Sequence, residues 1–195
     1  MEKNEIKTIL VGEVGTGKTN IINAITKQKF ESNVDSTNAA SFLEKVIKVN
    51  DKEYPLAIWD TAGQEKYRSI TKIFVKEAKI VIFVYSITDR KSFDGIDYWY
   101  DTVKTLLGDK PILGLAGNKK DLFLEEKVKE EEGKEKAKKI GAIFKLASAK
   151  ENDGIDDLFQ SLVEEYINKY GDIFDDNKGE KLLGSKNGKK LFKCC

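Results

Sequence analysis

The stretch from Gly12 to Thr19 holds residues whose types and spacing indicate phosphate chemistry. Its sequence, GEVGTGKT, is a glycine, four further residues and Gly-Lys-Thr, placed between an apolar run and a segment with helical spacing. The glycines allow successive backbone N–H groups to point at phosphate oxygens, and the positive end of the following helix adds to the same pocket. Lys18 would bridge the β- and γ-phosphates, and the Thr19 hydroxyl would ligate Mg²⁺. The stretch predicts a nucleoside triphosphate site; the alternative is a tight turn with an incidental lysine.

A second candidate group stands at the end of a predicted strand, in the sequence DTAGQ from Asp60 to Gln64. The Asp60 carboxylate could reach Mg²⁺ through a water molecule, and the Gly63 N–H could contact the γ-phosphate. The Gln64 amide could orient a water for in-line attack, so we expect Gln64 and Lys18 to be the catalytic side chains. An ordinary turn can have this sequence, but its placement 41 residues after Thr19 favours the catalytic interpretation.

The sequence Asn118-Lys119-Lys120-Asp121 directly follows a predicted buried strand and indicates recognition of guanine. The Asp121 carboxylate can accept hydrogen bonds from both the ring N–H and the exocyclic amino group of guanine. Adenine lacks this pair of donors and would leave a desolvated carboxylate unpaired, which is costly. Asn118 can tie together the loops around the base, and the stem of Lys119 can lie over its face. The alternative is a solvated turn.

The tripeptide Ser148-Ala149-Lys150, which comes after the last predicted strand, would complete the base site. Ala149 would offer its backbone N–H to the guanine oxygen. The tripeptide is nearly uninformative by itself. It counts because it stands at the same end of the predicted sheet as the other loops.

Alternating strands and helices must position these loops. The predicted strands cover 6–11, 42–49, 54–59, 80–85, 111–117 and 142–146, and the predicted helices cover about 20–25, 66–76, 92–107, 128–140 and 155–170. This order predicts an α/β fold with a six-stranded, mostly parallel sheet, one antiparallel edge strand and helices on both faces. Ligands of such folds bind at the carboxyl ends of the strands, which is where the polar motifs lie.

The composition excludes several functional classes. Among 195 residues, Lys plus Arg is 34 and Asp plus Glu is 33, so no net charge directs the protein to nucleic acid. The absence of histidine excludes histidine-based catalysis and most zinc sites. The two cysteines are Cys194 and Cys195, which excludes a disulfide framework and indicates a reducing compartment. We expect neither a signal peptide nor a membrane-spanning segment.

From about Ile6 to Tyr170 the sequence resembles the small Ras-like GTPases and, within them, the Rab family. All the motifs above occur in the family's order; Trp59–Glu65 followed by Tyr67–Ile70 is specifically Rab-like, and Ser36–Phe42 is most similar to the endosomal branch. The resemblance implies a P-loop GTPase fold and a monomeric GTP hydrolase that binds GTP, GDP and Mg²⁺ as a switch in vesicle traffic. It also implies an exchange factor, a GTPase-activating protein, effectors and a prenyl-binding chaperone as partners.

The resemblance adds residues to the site. It makes Thr37 the switch threonine, which binds Mg²⁺ and senses the γ-phosphate, and it puts Phe30 against the edge of guanine. Phe42, Trp59 and Phe74 fall where Rab proteins carry an aromatic triad that contacts effectors; the alternative is ordinary core packing. The predicted Mg²⁺ ligands are Thr19, Thr37 and Asp60. The predicted nucleotide-binding residues are Gly15, Thr16, Gly17, Lys18, Thr19, Asn20, Phe30, Thr37, Gly63, Asn118, Lys119, Asp121, Ser148, Ala149 and Lys150.

Some positions depart from the family pattern. Val14 stands where Ras has glycine and Rab proteins often have serine, and its branched side chain would project towards Gln64 and the attacking water. Asn38 and Ala39 replace the usual Ile-Gly after the switch threonine. We therefore predict slow hydrolysis. The rival hypothesis is a GTP-loaded, lipid-anchored scaffold with negligible hydrolysis, which the retained Gln64 argues against; an ATP-using enzyme is disfavoured by Asp121.

The sequence divides into a GTPase domain, 1–170, and a flexible hypervariable tail, 171–195. The tail is rich in Asp, Lys, Gly and Asn with few apolar anchors, which favours disorder. It ends in Cys194-Cys195, and the resemblance implies geranylgeranylation of both cysteines. We expect anchoring to the cytoplasmic face of an intracellular, endosomal-type membrane, with cycling through the cytosol. The alternative is an exposed pair that is inert or redox-active.

Overall fold

The computed structural model describes residues 5–28, 30, 41–60 and 73–172, and within them six strands form a single sheet. The order across the sheet is β2-β3-β1-β4-β5-β6. The strands are β1 (Ile6–Val11), β2 (Ser41–Val49), β3 (Lys52–Asp60), β4 (Ile80–Ser86), β5 (Ile112–Asn118) and β6 (Ile143–Leu146).

Helices connect most of these strands. They are α1 (Lys18–Ile25), α2 (Arg90–Asp94), α3 (Ile96–Leu107), α4 (Glu130–Ile140) and α5 (Ile155–Tyr170), with a 3₁₀ segment at Lys120–Glu125. In the part of the chain that the structure describes, no helix combines the length and the apolar character needed to cross a bilayer.

The pairing of the strands confirms the predicted sheet. β1 is parallel to both β3 and β4, and β5 is parallel to β4 and β6. β2 lies at the edge and is antiparallel to β3. The turn between them is short because Asn50 and Asp51 adopt positive φ angles of 48° and 63°, as in the mirror-image turns that join antiparallel strands. The carboxyl ends of the five parallel strands therefore share one edge of the sheet.

Each face of the sheet carries its own apolar core. One core packs α1 and α5 against the sheet, with Ile22, Phe159 and Leu162 at its centre. The other packs α3 and α4 against the opposite face, around Phe83 and Trp99. β4 is buried along its whole length because it has cover on both sides. This burial confirms the prediction from its continuous apolar sequence.

One predicted helix is divided in two, and another begins two residues later than predicted. The helix predicted over 92–107 is divided at Gly95 into α2 and α3, and the Asp89 side chain caps α2 by accepting from the Lys91 N–H at 3.1 Å. A Cβ at Gly95 would lie 3.0 Å from the Glu13 side chain, so glycine at this position permits the close approach of a loop distant in sequence. α4 begins at Glu130 rather than near Val128, because the backbone of Lys129 is extended, with φ −72° and ψ 152°.

Candidate nucleotide-binding site

The loop between β1 and α1 turns sharply enough that glycine is required at particular positions. Gly12 has φ +151°, and a Cβ there would lie 2.1 Å from the carbonyl oxygen of Val84. Gly17 has φ +91° and is the N-cap residue of α1, and its carbonyl accepts from the Ile21 N–H at 2.9 Å. The loop therefore places the amino-terminal end of α1, with its N–H groups and partial positive charge, at the edge of the sheet where the parallel strands have their carboxyl ends.

Lys18 is buried inside this loop, with 5% of its surface exposed. Its Nζ donates to the carbonyl oxygens of Gly12 and Glu13, each at 2.9 Å. Burial lowers the pKa of Lys18 to about 8, and the negative charges of Asp60 and Glu13 partly oppose this effect. A desolvated ammonium group held by neutral carbonyls interacts strongly with an incoming phosphate, because the local dielectric is low.

Thr19 and Asp60 form the beginning of a cation site. The Thr19 Oγ1 donates to Oδ2 of Asp60 at 2.7 Å, and Asp60 is buried at the end of β3. Hydroxyl and carboxylate oxygens are the hard donors that Mg²⁺ prefers, so the pair fits this ion. The third predicted ligand, Thr37, lies outside the described residues, as do Gly63 and Gln64.

Asn118 joins the loop between β1 and α1, here called the phosphate loop, to the loop after β6. The segments after β5 and after β6 are called the base loops. Its side-chain Nδ2 donates to the carbonyl of Thr16 at 2.8 Å, and its Oδ1 accepts from the Ala149 N–H at 3.2 Å. A Cβ at Gly17 would lie 2.3 Å from this Nδ2, so a second glycine is required for close approach. Because the Ala149 N–H is directed to Asn118 here, its contact with the guanine oxygen stays a prediction.

Asp121 presents an oriented carboxylate beside the end of β5. Its Oδ1 accepts from the Ser148 Oγ at 2.6 Å, and the Lys150 Nζ lies 3.9 Å from its Oδ2. The side chain is only 8% exposed, so its direction is fixed by these partners. Lys119 precedes it in the left-handed conformation, with φ +66°. This arrangement can accept two parallel hydrogen bonds from a base that offers adjacent donors.

Comparison with known proteins identifies the family. A family model described as the Ras family matches residues 7–168. Rab-21 of Geodia cydonium is 38% identical over 161 residues, which cover 83% of this chain and 70% of that protein. Rab-21 of Homo sapiens is 37% identical over 161 residues, covering 83% and 72%. RabC of Dictyostelium discoideum is 38% identical over 161 residues, covering 82% of each. The chain belongs to the Rab family of small GTPases.

Membership confirms the predicted Rab-like resemblance and the P-loop GTPase fold. Ras-family GTPases as a class bind GTP, GDP and Mg²⁺, hydrolyse GTP, and work with exchange factors, activating proteins and effectors; Rab proteins do so in membrane traffic. The assignment of the residues described above to a guanine nucleotide site stays a prediction.

The three aromatic residues predicted to face effectors form one cluster in this small GTPase. The ring centroids of Phe42 and Trp59 are 5.4 Å apart, and those of Trp59 and Phe74 are 5.3 Å apart. Phe42 is exposed, whereas Trp59 and Phe74 are partly buried. Contact with effectors stays a prediction.

The remaining predicted residues are less informative. Asn20 lies on α1 directly after Thr19, Gly15 has a positive φ of 76°, and Phe30 is partly buried. Cys194 and Cys195 lie outside the described residues.

Two contacts made by lysines were not predicted from the sequence. The Lys7 Nζ donates to the carbonyl of Lys76 at 2.6 Å and lies 5.4 Å from the centroid of Trp59, so it joins β1 to the aromatic cluster. The Lys120 Nζ donates to Oδ2 of Asp153 at 2.6 Å, between the two base loops. No local pattern marks either lysine, because both partners are distant in sequence.

Proposed function

We propose that this small GTPase is a Mg²⁺-dependent switch of vesicle traffic that hydrolyses GTP slowly. The observation that carries the proposal is the connection from Asp121 through Ser148 and Asn118 to the phosphate loop. The Asp121 carboxylate is oriented by Ser148, and Asn118 bonds both the 147–150 loop and Thr16. A guanine base and its phosphates would therefore be held by one connected set of residues.

In this proposal Asp121 accepts from the two guanine donors while Lys18 and the loop N–H groups hold the β- and γ-phosphates. Thr19, Asp60 and Thr37 would hold Mg²⁺, which when bound neutralises charge that develops on the phosphate oxygens. Gln64 would orient the water that attacks the γ-phosphorus. The bond from the γ-phosphorus to the bridging oxygen breaks, and GDP and phosphate leave.

Regulation would follow from contacts to the γ-phosphate. GTP would hold the Thr37 loop and the segment from Gly63 to Lys76, and hydrolysis would release them. The phosphate loop GEVGTGKT contains no arginine, so we expect an external activator to supply one, an effect of about 10³–10⁵ in rate where such residues act. Effectors would read the cluster of Phe42, Trp59 and Phe74.

Membrane attachment is the second part of the proposal. Geranylgeranyl groups on Cys194 and Cys195 would anchor the protein, a prenyl-binding chaperone would carry it through the cytosol as a monomer, and tail lysines would favour anionic leaflets. The similarity to Rab-21 proteins supports an endosomal membrane as its location.

Fluorescent mant-GTP and mant-GDP titrations with ATP competition, followed by single-turnover hydrolysis, test this proposal. We expect tight Mg²⁺-dependent binding of both guanine nucleotides, no competition by ATP, and slow but measurable hydrolysis. A preference for ATP would overturn the guanine assignment. The half-exposed Val14 motivates one rival, a GTP-loaded scaffold, and hydrolysis that stays undetectable over hours would favour it.

A further inference from the structure

The two loops that surround the base are joined by an ion pair whose members have no assigned role. The Lys120 Nζ donates to Oδ2 of Asp153 at 2.6 Å, and the two side chains are 48% and 50% exposed. The loops are also joined by their backbones, because the Lys120 N–H donates to the carbonyl of Ala147 at 3.0 Å. The pair therefore links the segment after β5 to the segment after β6.

The ion pair completes a closed ring of contacts that includes Asp121. The Ser148 Oγ donates to Asp121, and Ser148 and Asp153 exchange two backbone hydrogen bonds of 3.0 Å. Asp153 then accepts from Lys120, which is bonded to Asp121 through the peptide chain. Each member of the ring restrains its neighbours, so opening it at the ion pair leaves Asp121 with weaker restraints: the Ser148 hydrogen bond, the more distant Lys150 and the backbone bond from Lys120 to Ala147.

The backbone conformation of the 147–154 loop is also restrained by its close contact with the end of β6. Gly154 has φ +73°, and a Cβ there would lie 2.3 Å from the carbonyl oxygen of Leu146. Asn152 has a positive φ of 52°. These conformations direct Asp153 back towards Ser148 and bring its carboxylate within reach of Lys120.

We propose that Lys120 and Asp153 are positioning residues that hold the Asp121 carboxylate in its guanine-binding direction and thereby slow the release of guanine nucleotide. The inference rests on the proposed function, since it assigns these residues to the same site. It predicts that release becomes faster when either charge is removed, whereas the phosphate contacts of Lys18 stay as they are.

The size of the effect follows from the exposure of the pair. Exposed ion pairs contribute modestly to stability, and salt screens them. We therefore expect the dissociation rate of bound nucleotide to change by about 1.5- to 5-fold at low ionic strength. The test uses the full chain loaded with mant-GDP and Mg²⁺, and measures the dissociation rate in excess GDP at low and at high salt. The variants are Lys120→Met, Asp153→Asn, the two combined, and Lys120→Arg.

The expected result has four parts. Lys120→Met and Asp153→Asn each accelerate release, the double variant is no faster than the faster single variant, high salt removes most of the difference, and Lys120→Arg stays close to the unmodified rate. The matched control is Lys104→Met, which removes a lysine of similar exposure, 44%, from its ion pair with Asp109 after α3. This control should leave the release rate unchanged.

Unchanged rates in both single variants, or additive effects that persist at high salt, would overturn the inference while leaving the proposed function intact. Failure of the unmodified protein to bind mant-GDP would overturn both.

Discussion

Val14 is the residue of the phosphate loop that we predict to slow hydrolysis. It is 47% exposed and branched at Cβ, and it stands at the turn that precedes Gly15. A branched side chain at this place would occupy space that the attacking water and an activator's arginine need. The loop itself does not depend on valine, because its conformation is fixed by Gly12 and Gly17.

Replacing Val14 with glycine or serine should raise the rate of single-turnover GTP hydrolysis by about three- to tenfold, since a barrier change of about 0.7–1.4 kcal/mol is of the size expected for relieving one steric contact. Radiolabelled phosphate release measures this rate. An unchanged or lower rate in both variants would show that Val14 does not limit hydrolysis.

Gly17 serves both the helix and the base loops. An alanine there would be strained at φ +91°, and its Cβ would collide with the Asn118 Nδ2 at 2.3 Å. Asn118 cannot easily move, because it bonds Thr16 and Ala149. Gly15 offers a matched comparison, since it has φ +76° but a Cβ added there would meet nothing within 4 Å.

We expect Gly17→Ala to weaken mant-GDP binding at least about tenfold more than Gly15→Ala, a difference of about 1.4 kcal/mol. Equilibrium titration measures both affinities, and circular dichroism checks that both variants are folded. Equal losses would mean that backbone strain alone decides the effect and that the approach of Asn118 is unimportant.

At the scale of elements, α2 and α4 are joined by a bidentate ion pair. The Arg90 Nη1 and Nη2 donate to the two carboxylate oxygens of Glu132 at 2.7 and 2.9 Å, and Nη2 also donates to the carbonyl of Lys127 at 2.6 Å. Glu132 additionally accepts from the Lys129 N–H at 3.0 Å, in the first turn of α4. Arg90 first, and then this N–H, lower the pKa of Glu132 to about 2.

A carboxylate whose pKa is lower in the folded state than in the unfolded state stabilises the fold at pH values above its unfolded pKa, which is 4.5 for glutamate. This stabilisation is lost as the pH falls towards the folded pKa of about 2. Glu132→Gln should therefore lower the Tm at pH 7 by a few degrees, and the difference from the unmodified protein should shrink as pH falls below about 4.5.

Glu135→Gln is the control, because Glu135 is an exposed carboxylate on the same helix. Thermal unfolding followed by circular dichroism between pH 7 and pH 3 gives the required Tm values. A difference for Glu132→Gln that is constant across this range, or absent at pH 7, would contradict the assignment.

At the scale of the whole molecule, the near balance of 34 basic and 33 acidic residues gives no global attraction to anionic surfaces. In the proposed function, membrane binding would therefore depend on the tail. Each buried CH₂ of a lipid chain contributes about 0.8 kcal/mol, so two chains anchor stably where one is weaker and reversible.

We expect protein prenylated in vitro to sediment largely with anionic vesicles, a single Cys195→Ser variant to sediment partially, and a variant with serine at both Cys194 and Cys195 to stay in the supernatant. Mass spectrometry reports the number of chains attached, and nucleotide binding should be the same for all three. Sedimentation of the double variant to the unmodified level would contradict anchoring through these cysteines.

The sequence by itself determined the phosphate loop, the order of the described strands and helices and the bounds of α5; the helix predicted over 66–76 falls largely outside the described residues. These features depend on residue type and local periodicity, which can be read from the sequence without knowledge of the tertiary structure. Only the tertiary structure showed that Gly95, which divides a predicted helix, lies against the Glu13 side chain from another loop. It alone brought Asn118 to Thr16 and Lys120 to Asp153, since these contacts form when separate strands align their ends at one edge of the sheet. A local sequence pattern contains no information about which distant residue will lie beside a given side chain at this edge.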